Sequence, residues 1–310
     1  MLIPVGRSAT VRTPATTANL GPGFDALGLA LDWVDQASVA VIEDGYTFSL
    51  SGAGAAALPR DASHLVLKTI LRGIEDLGAE VPGLSFTAHN TIPLARGLGS
   101  SSAAISAGLA LAWGLVYPNR PLDRAWAFRV AVDIEGHPDN VGPAIFGGLT
   151  IGWLRQGTWQ IAQATVRDDI RITALVPSTV LETEKARAAM PASIPLEDAI
   201  ANSAHTALLM HAFASAPELL LDGTSDRLHQ EYRRSLYPVS LALVEQLRGQ
   251  GLAACISGAG PTVVVFHSSN QGALVDLTLE AAAGDPRFAG FTSHSLRIGD
   301  GVQLVAGHLS

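Results

Sequence analysis

The sequence predicts a two-domain chain of mixed helices and strands, and three observations carry that prediction. The chain has 310 residues, which is large for one core and suits two domains of ordinary size. It is 48% hydrophobic and only 15% charged, so it has the apolar side chains for a sizeable core. Its hydrophobic period also changes within one stretch. Leu84, Phe86, Ala88 and Ile92 alternate with Ser85, Thr87, His89 and Thr91, a strand with one buried face. Ser101 to Leu115 is almost wholly small and apolar, as in a helix buried on all sides.

The loop between that strand and helix, Pro93-Leu94-Ala95-Arg96-Gly97-Leu98-Gly99-Ser100-Ser101-Ser102, holds two glycines and three hydroxyls. A strand feeding such a loop into a helix start leaves backbone N–H groups unpaired and pointing outward. The helix dipole adds about half a positive charge at the same point, so the loop suits an anion. A P-loop would need a Lys-Ser/Thr pair closing the glycine run, and no lysine follows Gly99. A dinucleotide fingerprint would need a third glycine where Ser102 stands. The loop therefore reads as a phosphate cradle of another kind.

Composition narrows the partners. The net charge of -8, without basic runs, argues against nucleic acid or an anionic membrane. The single Cys255 allows no internal disulfide and fits a reducing compartment. The N-terminal residues lack a basic region followed by a long apolar run, and stretches such as Ala103 to Leu115 are too short to span a bilayer. A cytoplasmic protein is expected.

Ahead of the cradle, Pro14 to Gly28 reads as strand, glycine-rich loop, strand, and its Asn19 and Asp25 flank Gly21-Pro22-Gly23. Both can turn toward one pocket, and both are also ordinary turn formers. Asp61 to Leu77 and Leu122 to Ile134 have helical spacing. After the second of these, Glu135, His137, Asp139 and Asn140 fall within six residues, and Gly136 and Pro138 predict a loop there. Metal ligation through His137 lacks a second His or Cys at ligand spacing.

Composition shifts after Gly148, and the strands Leu149 to Leu154 and Trp159 to Val166 are expected to lead into the second half. The expected domains are residues 1–155 and 156–310. Beyond them come a strand at Ile172 to Val176, the segment Thr183 to Arg187, and a helix from Leu196 to Phe213. Asp226 to Arg234 reads as a charged helical segment with a solvated face. Ala253 to Phe266 reads as a strand, a Gly/Pro turn and a β-branched strand, with Cys255 a small buried hydrophobe.

Gly97-Leu98-Gly99-Ser100-Ser101 after a proline-led approach resembles the second motif of the GHMP kinases, which include galactokinases, homoserine kinases and mevalonate kinases. The segment Pro14 to Gly28, with Thr16-Thr17 where serines are usual, and Gly136-His137-Pro138-Asp139-Asn140-Val141 resemble the homoserine-kinase branch. Ser257-Gly258-Ala259-Gly260-Pro261 resembles the third motif of the family, which packs beneath the phosphate loop. The resemblance spans nearly the whole chain.

It implies an α+β fold: an N-terminal domain with a left-handed βαβ crossover, an exception to the usual handedness, and a C-terminal ferredoxin-like α/β sandwich, with the site between them. It implies ATP as phosphoryl donor, a magnesium ion (Mg2+), and the hydroxyl of L-homoserine as acceptor. Residues 93–102 would cradle the nucleotide, and Ser101 with Glu135 would hold the metal. Asn19, Asp25, Asn140, Arg187 and Arg233 match substrate-binding positions, the two arginines gripping the carboxylate. Asp25 and Asn140 suit the ammonium and Asn19 the hydroxyl, though Asn19 and Asp25 can exchange these roles. Asp139 stands where mevalonate kinases have an aspartate base, while the homoserine branch relies on alignment of hydroxyl and phosphate. A homodimer is a further implication. Another GHMP kinase, of mevalonate or sugar type, and a catalytically silent nucleotide sensor are the alternatives. Neither explains an acidic Asp25 set against two arginines together with retention of Ser101 and Glu135.

Overall fold

The computed structural model describes residues 1–305; residues 306–310 of the expected second domain lie outside the described residues. The first half contains strands β1 (Ser8–Ala18), β2 (Leu27–Ile42), β3 (Gly45–Gly52) and β4 (Gly83–Asn90), and helices α1 (Leu65–Asp76), α2 (Ser100–Val116), α3 (Arg124–Glu135) and α4 (Pro138–Phe146). A hairpin of β5 (Leu149–Arg155) and β6 (Thr158–Ala164) follows. The second half contains β7 (Ile170–Pro177), α5 (Thr183–Ala188), α6 (Leu196–Ala214), α7 (Leu220–Gly223), α8 (Pro238–Gly249), β8 (Ala253–Ile256), β9 (Val263–Ser268), α9 (Gly272–Ala283) and β10 (Phe291–Leu296). A last short strand, β11 (Gln303–Val305), returns to the first half.

Among the described residues these strands make two sheets, an α+β architecture. The first runs β11-β1-β2-β4-β3, with β5 pairing the opposite end of β2 and β6 pairing β5. Only β3 and β4 are parallel, so the connection through α1 is the crossover unit of this sheet. The second sheet is antiparallel throughout, in the order β10-β7-β9-β8. With helices between β7 and β8 and α9 between β9 and β10, that is the ferredoxin-like order.

The sequence explains the layers. In α1, Val66, Leu67, Ile70 and Ile74 fall on one face and are buried against the sheet and α2. Helix α2 is apolar on all sides and lies between α1, α3 and the sheet, so it has no solvated face. Its open start brings the phosphate loop to the edge of the second domain, where Arg96 reaches the end of β7. One apolar cluster, with Leu27, Leu29 and Leu149 from the first half and Ile172, Phe213 and Phe266 from the second, is continuous across the junction. The two walls of the cleft are therefore packed on a shared core.

Three expectations differ from the structure. The division at residue 155 falls at the end of β5, inside a hairpin whose pairing to β2 keeps both strands with the first sheet. The polar cluster after Glu135 is not a loop: Pro138 occupies the first turn of α4, where its fixed φ and missing N–H suit a helix start. The segment 226–234 is not a solvated helix. Asp226 accepts from the N–H groups of Leu228, His229 and Gln230, and a 3-10 turn follows over Glu231–Leu236. That geometry turns His229 and Arg233 inward, where they are 0% and 2% exposed.

Candidate active site

Helix α2 starts after Gly99, which holds φ 64 and supplies no side-chain cap. The first intrahelical bond is from Ala103 N–H to Gly99 O at 2.8 Å, so the N–H groups ahead of it have no helical partner. Glycine is required at two points of this loop. At Gly97, φ 77, a Cβ would lie 2.2 Å from Ser257 O. At Gly99 it would lie 1.8 Å from Thr16 Oγ1. The loop is thus clamped between the first and third motifs. Ser257 Oγ donates to Gly97 O at 2.5 Å and lies 2.8 Å from Thr17 Oγ1. The Arg96 guanidinium donates to the carbonyls of Leu94, Pro177 and Ser178, tying the loop to the end of β7.

Glu135 ends α3, where the dipole is unfavourable to a carboxylate, yet it faces the favourable start of α2. Ser102 Oγ donates to its Oε1 at 2.8 Å and Ser101 Oγ to its Oε2 at 3.3 Å. A carboxylate here shares the helix start with any bound phosphate. Two anions at one point call for a cation between them.

Across the cleft, Asp25 and Arg187 form a two-pronged ion pair, Nη1 to Oδ2 at 3.0 Å and Nη2 to Oδ1 at 2.9 Å. Asp25 takes φ 57 in the loop between β1 and β2, and its N–H donates to Asn19 Oδ1 at 3.0 Å. The other end of the Asn19 amide donates to Gly258 O at 2.9 Å. Asn19 thus lines the cleft with its amide already bound at both ends. Arg233 lies behind Arg187: its Nε donates to Ala186 O at 2.9 Å, and its guanidinium sits 5.1 Å over the Phe24 ring. The buried His229 stacks on Phe24 and donates from Nε2 to Gly21 O at 2.8 Å. Its Nδ1 then accepts from Arg233 at 3.4 Å. Burial lowers the His229 pKa, in keeping with a neutral ring between a carbonyl and a guanidinium.

In the first turn of α4, Asp139 is 3% exposed and its Oδ1 lies 2.5 Å from His137 Nδ1. Burial pushes the His137 imidazole down, but the hydrogen bond and charge of Asp139 outweigh it, so its pKa is raised overall. Asn140 Oδ1 accepts from the buried Thr16 hydroxyl at 2.7 Å.

One cavity of about 240 Å³ gathers Asn19, Asp25, the loop from Ala95 to Ser102, Glu135, Asp139, Asn140, Arg187 and Arg233. Every expected side chain of the acceptor and metal sites lines it; Pro93, Leu94 and Leu98 of the loop do not. A second, mostly apolar pocket of about 200 Å³ shares Ser100 and Ser101 with it and is walled by Leu65, Val66, Phe86, Leu94 and Ala104. His64 lines this pocket with neither ring nitrogen hydrogen-bonded. Thr16 is only a motif position in the sequence, and His229 only part of the charged run from Asp226 to Arg234. The one local signal for His229 was its spacing of four from Arg233.

The chain matches the family models for the GHMP kinases N terminal domain over residues 64–148 and GHMP kinases C terminal over residues 204–276. It is similar to the homoserine kinase of Cutibacterium acnes, 46% identical over 300 residues covering 96% of this chain and 99% of the relative. It is also similar to that of Streptomyces coelicolor, 45% identical with 91% of each chain covered. Its fold matches the crystal structure of homoserine kinase from Cytophaga hutchinsonii with a TM-score of 0.84, at 24% identity over 96% of this chain and 98% of that one.

Proposed function

This chain belongs to the homoserine kinase family of the GHMP kinases, and from that premise we propose how its cleft transfers the γ-phosphoryl group of ATP to the hydroxyl of L-homoserine. The product is O-phospho-L-homoserine, and the pathway it serves is threonine biosynthesis. The observation that carries the reading is one cavity joining an uncapped helix start to opposed charges, Asp25 against Arg187 and Arg233. The phosphates rest on the N–H groups of the Gly97–Ser102 loop and on the α2 dipole. The apolar pocket beyond Ser100 and Ser101 takes the base of the nucleotide.

The acceptor is a zwitterion. Its ammonium takes Asp25, and its carboxylate takes Arg187 with Arg233 behind it. A mevalonate-type acid would take Arg187 from Asp25 without supplying an ammonium in exchange, and a sugar has neither charged end to match the pair. Asn19 braces Asp25 by joining its N–H to Gly258 O, and the second hydrogen on Asn19 Nδ2 is left for the substrate hydroxyl. Asn140 turns its amide nitrogen toward the cleft and suits an acceptor oxygen better than an ammonium. Asp139 braces the α4 start through His137, and the attacking hydroxyl needs no base, since a loose transition state leaves its proton in place until late.

Ser101 Oγ and Glu135 Oε2, 3.3 Å apart, fit neighbouring positions around magnesium, whose octahedral ligands lie about 2.9 Å from one another. Among the described residues no group of three or more His, Cys, Asp or Glu gathers at one point. Two protein oxygens, with phosphate and water completing the shell, are the usual arrangement for this ion. When bound, it would neutralise charge on the transferring phosphoryl group. Among the described residues no helix is long and apolar enough to cross a membrane. The buried thiol of Cys255 accords with a cytoplasmic setting.

A coupled ADP-release assay across homoserine, mevalonate, galactose and serine tests the reading. Homoserine should lead by at least ~10²-fold in kcat/KM, the scale on which a pocket rejects a substrate one methylene shorter, with larger margins over acceptors that leave its charged groups unpaired. A lead for mevalonate or galactose would overturn it, and no release with any alcohol would make the protein a sensor.

A further inference from the structure

Thr16 is 0% exposed and sits where the pairing of β1 with β2 shifts register, between Pro14 and Thr16. Such a bulge re-aims the side chains next to it, and bulges are common beside active sites. Thr16 stands opposite Ala30 with its N–H turned away from β2, and that N–H donates to Leu98 O in the phosphate loop at 3.1 Å. The hydroxyl crosses in front of Gly99, which only an absent Cβ permits, and reaches Asn140 Oδ1 at 2.7 Å. Thr16 therefore touches the phosphate cradle with its backbone and the α4 amide with its side chain.

We propose that Thr16 is a positioning residue for phosphoryl transfer, its hydroxyl holding the Asn140 carboxamide with the nitrogen turned into the cleft. This rests on the reading of the cleft as the homoserine kinase site. A hydroxyl has one hydrogen, and an amide oxygen can only accept it. With Oδ1 held against Thr16 and Gly99, Nδ2 is left to donate into the cavity between the α2 start and the Asp25–Arg187 pair. A donor at that point serves the oxygen atoms that react there. If the hydroxyl is lost, the amide can rotate and present its oxygen instead, which repels the same atoms. The effect belongs in kcat, since the donor is aligned on the reacting centre and not on either charged end of the substrates.

The test compares Thr16→Val, which keeps the shape and loses the hydroxyl, with Thr16→Ser, which keeps the hydroxyl. Thr16→Val should lower kcat about tenfold or more, with the KM for homoserine and for ATP within about twofold of wild type. Thr16→Ser should recover most of that loss. Thr16→Ala provides a second hydroxyl-free variant should Thr16→Val not fold, and it should show the same split. Asn140→Ala should be impaired, and adding Thr16→Val to it should cost little more, because the two act as one unit. Wild-type kcat in Thr16→Val, equal losses in Thr16→Val and Thr16→Ser, or additive losses in the double variant would each overturn the proposal. Wild-type kinetics in Asn140→Ala would instead remove Asn140 from the site and overturn the reading on which the proposal rests.

Discussion

Asp25 and Arg187, 162 residues apart in sequence, close the cleft with a bidentate ion pair at 2.9 and 3.0 Å. Each is the complement of one end of an amino acid, so a bound zwitterion can replace the pair charge for charge. An alcohol carrying only an ammonium or only a carboxylate leaves one member of the pair unmatched. It should bind much more weakly than homoserine, and competition assays with the two half-charged analogues check this. Arg187→Ala should raise KM for homoserine roughly 10–100-fold, the scale of charge-assisted bonds, while leaving KM for ATP nearly unchanged. Weakened ATP instead would move the arginine to the nucleotide site.

Glu135→Ala and Ser101→Ala should act mainly on kcat, by roughly 10²-fold or more, because charge on the phosphoryl group grows in the transition state. Kinetics titrated against magnesium should show the variants needing more of the ion for half-maximal rate. Wild-type kcat in Glu135→Ala would remove Glu135 from the metal site.

Asp139→Asn tests whether a base operates. The carboxylate already meets His137 at 2.5 Å, so the expected loss in kcat is less than about tenfold. A fall beyond about 10²-fold, with loss of the acid limb of the pH profile, would make Asp139 the base. The pair has a stability signature as well. The raised His137 pKa contributes stability that is fully present below the unfolded value of about 6.5 and lost as pH rises through the folded value. The Tm gap between wild type and Asp139→Asn should therefore be wider in mild acid than at pH ~9.

His229 has the opposite sign. Its lowered pKa means the unfolded chain takes up a proton that the folded chain refuses, so stability falls as pH drops below about 6.5. His229→Gln should flatten part of that fall in a Tm series. It should also raise KM for homoserine more than KM for ATP, because Nδ1 holds Arg233. Equal changes in both constants would reduce His229 to a core residue.

The phosphate loop, the strand before it and the buried helix after it were legible in the sequence because their chemistry is contiguous. Unpaired N–H groups, a dipole and two glycines need only about a dozen neighbouring residues to declare themselves. The ferredoxin-like half, the crossover and the proposed substrate residues were implied by a resemblance that rests on motifs spread along the chain, and each residue proposed for the acceptor and metal sites lines one cavity. What only the tertiary structure decided was which polar group meets which. Thr16 reaches Asn140 across 124 residues, Arg187 reaches Asp25, and the Asn19 amide closes on Gly258 across 239. No period or spacing encodes such pairings, because they follow from two sheets packed on one shared core. The same packing made a helix start of a supposed loop at Pro138. It also buried His229 and Arg233, whose charged neighbourhood in sequence resembles a solvated face until Asp226 caps the turn and folds them against Phe24.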